Sequence, residues 1–495
     1  MAAPFKLTRI PTLKTVEAFR ALVDSLGIEL PCDDAIITGP DSPVAAPIDN
    51  LVVNGKQIGN RIALHPMEGW DGTTTGGVTE EMLRRWQRFG ESGAKMICGG
   101  EAMAVRPDGR ANPNQLIICD ENKADFAKLR KTLIDAHEER YDTSDDLVIG
   151  FQLTHSGRFC RPHDKMRWES KVAYRHPILD QKFNVTSDDQ ILSDSDVEQL
   201  IQKYIEAAQI AWDVGADFVD IKHCHGYLLH EFLSAFNRPG KYGGSFENRT
   251  RILREIVEGI RASGNPIDFA VRLSTFDFVA HRPDPELSKP GKLGPGIPED
   301  FSNCLPYKYA FSTNPDNPVE PEISETVKFM KLCGELDVKI LNTSAGSPYY
   351  TPHIQRPAAY PPSDGYQPAN DPLIDVARQI QIVRQMKAQA PAGLAIVGSG
   401  YSYLQEYLPQ VSQYILRNGW ADAIGLGRVV LSYPQILTDP IEGKELTKKL
   451  ICRTFSDCTT APRNGMVSGC YPLDEFYKKR PEFKQLKEIK KNMGA

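Results

Sequence analysis

The densest group of chemically able side chains lies in residues 218–256, FVDIKHCHGYLLHEFLSAFNRPGKYGGSFENRTRILREI. An apolar run ending at Ile221 reads as a buried strand, and Lys222, His223, His225 and Tyr227 crowd its exit. An ammonium, an imidazole and a phenol can hold an oxygen as it gains negative charge and deliver a proton beside it. Alternation along a strand sends Lys222 to one side and His223 to the other. Lys222, His223, His225 and Tyr227 are the candidate catalytic residues, with His223, turned away from its neighbour Lys222, expected to be structural. A lone histidine at a strand end is most often a satisfied rim residue. Four such groups within six residues favour a catalytic cluster.

Eight short apolar runs provide strands to carry this cluster: 61–65, 94–98, 147–153, 218–222, 269–273, 338–342, 394–398 and 422–427. Between them lie stretches with apolar residues at three- and four-residue steps, such as EEMLRRWQRFGES and DVEQLIQKYIEAAQIAWDVG. The alternation argues for parallel βαβ units, and a count of eight argues for a closed barrel. No GxGxxG joins a strand to a helix, which leaves an open doubly wound sheet as the second choice. The expected fold is α/β, a (β/α)8 TIM barrel over residues 51–440. An N-terminal extension precedes it at 1–50, and a helical tail at 441–495 packs on it. Two long loops, 156–192 and 277–320, follow strand C-termini, where a barrel builds its site. They are expected to carry the substrate contacts.

Composition excludes several classes. Of 495 residues, 41% are hydrophobic and 25% charged, and the net charge of -6 comes without long runs of one sign. This gives no basis for a nucleic-acid or membrane surface. No stretch approaches the roughly 20 apolar residues of a membrane span, and the N-terminus lacks a secretory signal pattern. Ten scattered cysteines read as reduced thiols in a cytoplasmic chain. Cys452, Cys458 and Cys470 stand at gaps of five and eleven residues, without the tight spacing of an iron–sulfur site. No metal is expected, although a degenerate or zinc-like site at these three thiols is left open. The expected partner is a small molecule, with homo-oligomerisation left open.

HGYLLHEFL and NRPGKYGGSFENRTR resemble the Old Yellow Enzyme family of NADH:flavin oxidoreductases. NRIALHPMEGWDG, GGEAMAVRPDGR, FQLTHSGR, AVRLS, VGSG and GLGR match further family-like pieces in the family's order, over roughly residues 45–435. The resemblance implies FMN as cofactor and NADH or NADPH as electron donor. It implies that Pro66, Met67 and Gly100 lie by the flavin, and that Gln152 and Arg272 meet the pyrimidine edge of its ring. Arg272 stays charged at any working pH and suits an anionic reduced ring. Gly398, Ser399, Gly400, Gly427 and Arg428 would hold the phosphate, with backbone N–H groups and a guanidinium fork. The implied reaction is hydride transfer to an electron-poor alkene such as an α,β-unsaturated carbonyl compound. Lys222 and His225 would hold its carbonyl, and Tyr227 would protonate its carbon.

Two departures qualify this. Lys222 stands where most members have His, as a point charge in place of a directed ring donor. Glu68 occupies or adjoins a place where many members have a small residue, and is expected either at the flavin, offset by a cation such as Lys222, or turned to solvent. Relatives that oxidise amines also replace that first His, so a substrate-oxidising dehydrogenase or demethylase is the nearest alternative. A flavin-free lyase using Lys222 as a Schiff-base amine is a distant one.

Overall fold

In the computed structural model, which describes residues 7–492, eight parallel strands close into a barrel in sequence order. They are β1 (Ile62–Leu64), β2 (Met96–Ala104), β3 (Val148–Thr154), β4 (Phe218–His223), β5 (Asp268–Ser274), β6 (Ile340–Ser344), β7 (Ala395–Gly398) and β8 (Ala423–Leu426). Closure is made by β8 against β1, with Ile424, Gly425 and Leu426 opposite Ile62, Ala63 and Leu64. Each expected apolar run became a strand, and the open sheet is ruled out by this pairing.

Packing explains the helices. Helix Glu80–Gly90 buries Met82, Leu83, Trp86 and Phe89, the three- and four-residue stripe that a barrel-covering helix needs. Helix Asp194–Asp213 begins at a capping box in which Ser193 and Asp196 exchange hydrogen bonds. Directly after β8 the pattern breaks, with a short 3-10 turn (Arg428–Leu431) and the four-residue helix Thr438–Ile441, before the tail helices Asp457–Arg463, Glu475–Lys478 and Glu482–Asn492. The N-terminal helix Val16–Ser25 lies outside the barrel, where Phe19 stacks on Tyr407 with ring centroids 4.4 Å apart. No described helix is long and apolar enough to cross a membrane.

The barrel interior is layered. At its lower end Ala63, Met96, Val148, Phe218, Ala270 and Ile340 form an apolar cluster. A small hairpin, Val52–Val53 against Lys56–Gln57, closes that end, with Leu51, Val53 and Ile58 joining the same cluster. At the upper, C-terminal end the same strands turn inward polar residues: Gln152, Asp220, Lys222, Arg272, Asn342 and Ser344, all buried. This change from apolar to polar locates the site.

Candidate active site

A cleft opens over the polar end, lined by residues in or just beyond all eight strands, Ala102 of β2 among them. Pro66, Met67, Gln152, Lys222, His225, Tyr227, Arg272, Ser399, Gly400, Gly427 and Arg428 line it together. Gly100 and Gly398, expected at the flavin, do not line it. Gly100 sits at a bulge in β2 with φ +53°, where a Cβ would lie 2.5 Å from the Trp86 ring. Its carbonyl accepts the Met67 N–H at 2.8 Å, so it acts on the lining from behind. At Gly398 a Cβ would lie 2.0 Å from the Tyr401 hydroxyl, which makes this a close-packing position.

Three features organise the end of the cleft at β3–β6. Gln152 Nε2 donates to Asp220 Oδ2 at 2.9 Å, and Arg272 Nη1 donates to the Pro66 carbonyl at 3.1 Å. Burial pushes the Asp220 carboxyl up to about 6, against the pull of Gln152, Arg272 and Lys222. Yet Arg272 Nε, Asp220 Oδ1, both amide atoms of Asn342 and both ring nitrogens of His65 are buried without a hydrogen-bond partner. Unsatisfied buried polar atoms are costly, and their concentration here calls for a polar guest.

The far end of the cleft is cationic. Arg428 donates to Thr459, and Arg356 donates to Ser456 Oγ at 3.3 Å. Neither guanidinium is ion-paired with a carboxylate among the described residues, and burial together with Arg356 pushes Arg428 down to about 9. Ser399, Gly400 and Gly427 approach beside them, and Gly400 has the left-handed φ of +90° that a side chain resists. Two uncompensated arginines beside open backbone suit a phosphate dianion.

Above the β4 exit lies a compact polar knot. Glu68, with 13% of its side chain exposed, turns into the cleft and not to solvent. Its Oε2 accepts from the Tyr227 hydroxyl at 2.9 Å and lies 3.3 Å from Lys222 Nζ, and its Oε1 accepts from Trp70 Nε1 at 2.8 Å. Lys222 Nζ also sits 3.6 Å from the Tyr227 ring centroid. Burial, then Glu68, holds the Tyr227 phenol well above its ordinary range. His225 packs at φ +67°, with Nε2 2.8 Å from Ser344 Oγ, and burial with Arg272 and Lys222 drives its pKa well below the usual value. It is therefore a neutral imidazole. His223 points away, with Nδ1 3.1 Å from the Ile221 carbonyl oxygen and its ring against Phe329, as strand alternation requires.

The two long loops do not line the cleft. Its outer wall comes instead from the segment after β6, with Pro348, Tyr349 and Arg356, and from the tail, with Cys458, Thr459, Pro462 and Arg463. Loop 156–192 stands behind this wall, where Phe159 stacks on Tyr349 at 4.0 Å. The tail is thus part of the site and more than a wrap. No group of three or more His, Cys, Asp or Glu among the described residues has metal-binding geometry, and all ten cysteines are unpaired. Sequence reasoning missed His65, Asp220, Asn342, Tyr349, Arg356 and Arg463. Inward alternation on β1, β4 and β6 could have found the first three, whereas no local signal marks the others.

The family model for "NADH:flavin oxidoreductase / NADH oxidase family" matches residues 46–285. The chain is thereby similar to this family over just under half of its length. The matched residues carry β1 to β5 and the Glu68–Lys222–Tyr227 knot, while the phosphate-like end at β7 and β8 lies beyond them. An NADPH dehydrogenase of Geobacillus sp. (strain WCH70) is 29% identical over 235 residues, covering 46% of this chain and 62% of that protein. The match thus spans less than two thirds of that relative. An NADPH dehydrogenase of Bacillus subtilis (strain 168) is 26% identical over 408 residues, 81% of this chain and 94% of that protein. Among solved structures, the old yellow enzyme homologue from Zymomonas mobilis matches 82% of this chain and 94% of its own. Its TM-score is 0.53 at 21% identity, a likeness of fold.

Proposed function

We propose that this chain is an FMN-dependent NAD(P)H oxidoreductase whose reduced cofactor passes hydride to an electron-poor substrate such as an α,β-unsaturated carbonyl compound. The observation that carries the reading is the cleft's two-ended polarity. Unsatisfied polar atoms of Arg272 and His65 belong to residues lining one end, with those of Asp220 and Asn342 buried outside the lining. Arg428 and Arg356, without carboxylate partners among the described residues, line the other. FMN has matching ends, a polar ring edge and a phosphate. Gln152 and Arg272 would hold the ring edge, and Ser399, Gly400, Gly427 and Arg428 the phosphate, with Arg356 as an added cation. Bound there, FMN would supply the hydride chemistry, loaded from NADH or NADPH.

The chain's own groups do the rest. His225, neutral, and the Lys222 ammonium offer hydrogen bonds to a substrate oxygen, which gains stabilisation as negative charge develops on it. Arg272 stays protonated and fixes positive charge at the ring edge. Tyr227 carries a proton that burial prevents it from losing to water, so it acts as an acid toward a carbon placed against it. Tyr349, backed by Phe159, and Trp70 wall the substrate side with aromatic surface and exclude water.

The test is anaerobic titration of the FMN-loaded protein with NADH and NADPH, followed by a panel of enones and amines. Bleaching of the flavin absorbance by NAD(P)H and its return on adding an enone are the expected outcomes. Bleaching by an amine, with no response to NAD(P)H, would instead assign the substrate-oxidising reaction.

A further inference from the structure

We infer that Glu68 is the proton carrier that recharges Tyr227, with Lys222 as its fixed counter-ion. This rests on the reading of the cleft as a hydride-transfer site. Three distances carry it. The Tyr227 hydroxyl already donates to Glu68 Oε2 at 2.9 Å, Lys222 Nζ lies 3.3 Å from the same oxygen, and Lys222 Nζ lies 3.6 Å from the Tyr227 ring centroid. One cation therefore touches both the carboxylate and the ring that must carry negative charge in turn.

The geometry poses a problem that the relay solves. Tyr227 has one proton and is 3% exposed, so once that proton has gone to a substrate carbon its burial restricts direct replacement from solvent. Glu68 is the most open member of the knot, with 13% of its side chain exposed against 4% for Lys222. In the reaction a substrate alkene accepts hydride at one carbon. The Tyr227 hydroxyl turns about its C–O bond, its O–H bond breaks and a C–H bond forms at the other carbon. The reductant is NAD(P)H and the oxidant is the alkene. Phenolate and carboxylate then face each other across one hydrogen-bond length, a repulsion that Lys222 offsets. A solvent proton binds Glu68 at the cleft mouth and crosses to the Tyr227 oxygen, which restores the resting pair. The other groups facing this pair are Tyr349, whose hydroxyl is 3.2 Å from that of Tyr227, and the Trp70 indole on Glu68. Burial and then Glu68 push the Tyr349 phenol up to about 12, against the pull of Arg161 and of Arg463, which lies 5.6 Å over its ring.

This assignment changes the role of Lys222. Its charge is committed to Glu68, and Glu68 is a positioning residue for protons that acts through Tyr227 and does not contact the substrate carbon. Its sequence neighbours support the placement. Gly69 N–H donates to buried Glu101 at 3.2 Å, and Glu101 and Asp71 both clasp Arg85. The segment bearing Glu68 is therefore held in place from behind.

The test uses FMN-loaded Glu68→Gln and Glu68→Asp, with Tyr227→Phe as the blank. In the first arm, ultraviolet difference spectra follow Tyr227 ionisation with pH and no substrate present. Removing the facing carboxylate in Glu68→Gln should let the phenolate form at lower pH, and an unchanged titration would overturn the inference. In the second arm, pre-reduced enzyme meets an enone in a stopped-flow cell. Glu68→Gln should slow later turnovers on the order of a hundredfold, as for loss of an acid–base group, but the first turnover far less. Glu68→Asp should recover much of the loss. Equal loss in first and later turnovers would mark Glu68 as structural and overturn the relay. If the wild-type protein reoxidises with no enone, the hydride-transfer reading fails, and the first arm still decides whether Glu68 and Tyr227 share a proton.

Discussion

At the lower end of the barrel interior, Ala63, Met96, Val148, Phe218, Ala270 and Ile340 meet as apolar side chains with no polar atom to satisfy. At the upper end, two to four residues further along the same strands, Gln152, Asp220, Lys222, Arg272 and Asn342 are also buried, and several of their polar atoms have no partner. Burial stabilises the first set by about 1.5–3 kcal/mol for each large side chain. The second set costs stability until a guest satisfies it. One end of the barrel therefore holds the fold together, and the other holds back unsatisfied groups for a ligand. Substitutions at the two ends should separate stability from function.

The largest effect belongs to the functional end. Tyr227→Phe should slow alkene reduction by about 10²–10⁴-fold, the usual worth of a general acid, with flavin reduction by NAD(P)H nearly intact. Stopped-flow measurement of each half-reaction decides this. Equal loss in both halves would make Tyr227 structural.

Phe218→Ala reverses the pattern. Phe218 is fully buried and packs against Gly150, where a Cβ would come within 2.2 Å of its ring. The cavity should cost about 3–5 kcal/mol in denaturant unfolding, with turnover of the remaining folded enzyme little changed.

Arg428→Ala should weaken FMN retention by the value of one charge-assisted hydrogen bond, about 1.5–3 kcal/mol. The apoprotein should be no less stable, because Arg428 has no carboxylate partner to strand. Flavin release on dilution measures the first effect and a melting curve the second.

The smallest effect is a slope with pH. Burial pushes the folded Asp220 carboxyl up to about 6, above the ordinary aspartate value of 3.8. Between these values the folded chain holds a proton that the unfolded chain has released, so stability falls as pH rises through that window. Asp220→Asn should remove up to one proton's share of the slope, about 1.4 kcal/mol per pH unit. Unfolding curves of both apoproteins across the window test this, and identical slopes would refute it.

The two ends also differ in how far the sequence alone revealed them. Apolar runs of strand length specify the barrel because burial of alternate residues dictates their type, and all eight strands follow from them. Residues fixed by a strand exit, such as Lys222, His225 and Tyr227, were legible for the same reason. Arg356, Tyr349 and Arg463 were not, because the segment after β6 and the tail reach the cleft through contacts far apart in sequence, such as Arg463 with the Pro348 carbonyl. The long loops 156–192 and 277–320 misled, since loop length speaks of freedom to reach a site but not of direction. Glu68 was balanced between solvent and flavin until Lys222 and Tyr227, 154 and 159 residues away, were seen to hold it.

The central claim is that the upper end of the barrel is completed by FMN. Its most direct test is titration of the purified apoprotein with FMN, read by flavin fluorescence and by the melting temperature together. One non-covalent FMN per chain should bind with quenching and a clear rise in stability, as a ligand that binds only the folded state requires, and Arg272→Ala or Arg428→Ala should lose both signals in parallel. A colourless protein whose fluorescence titration and melting temperature are unmoved by excess FMN would contradict the account.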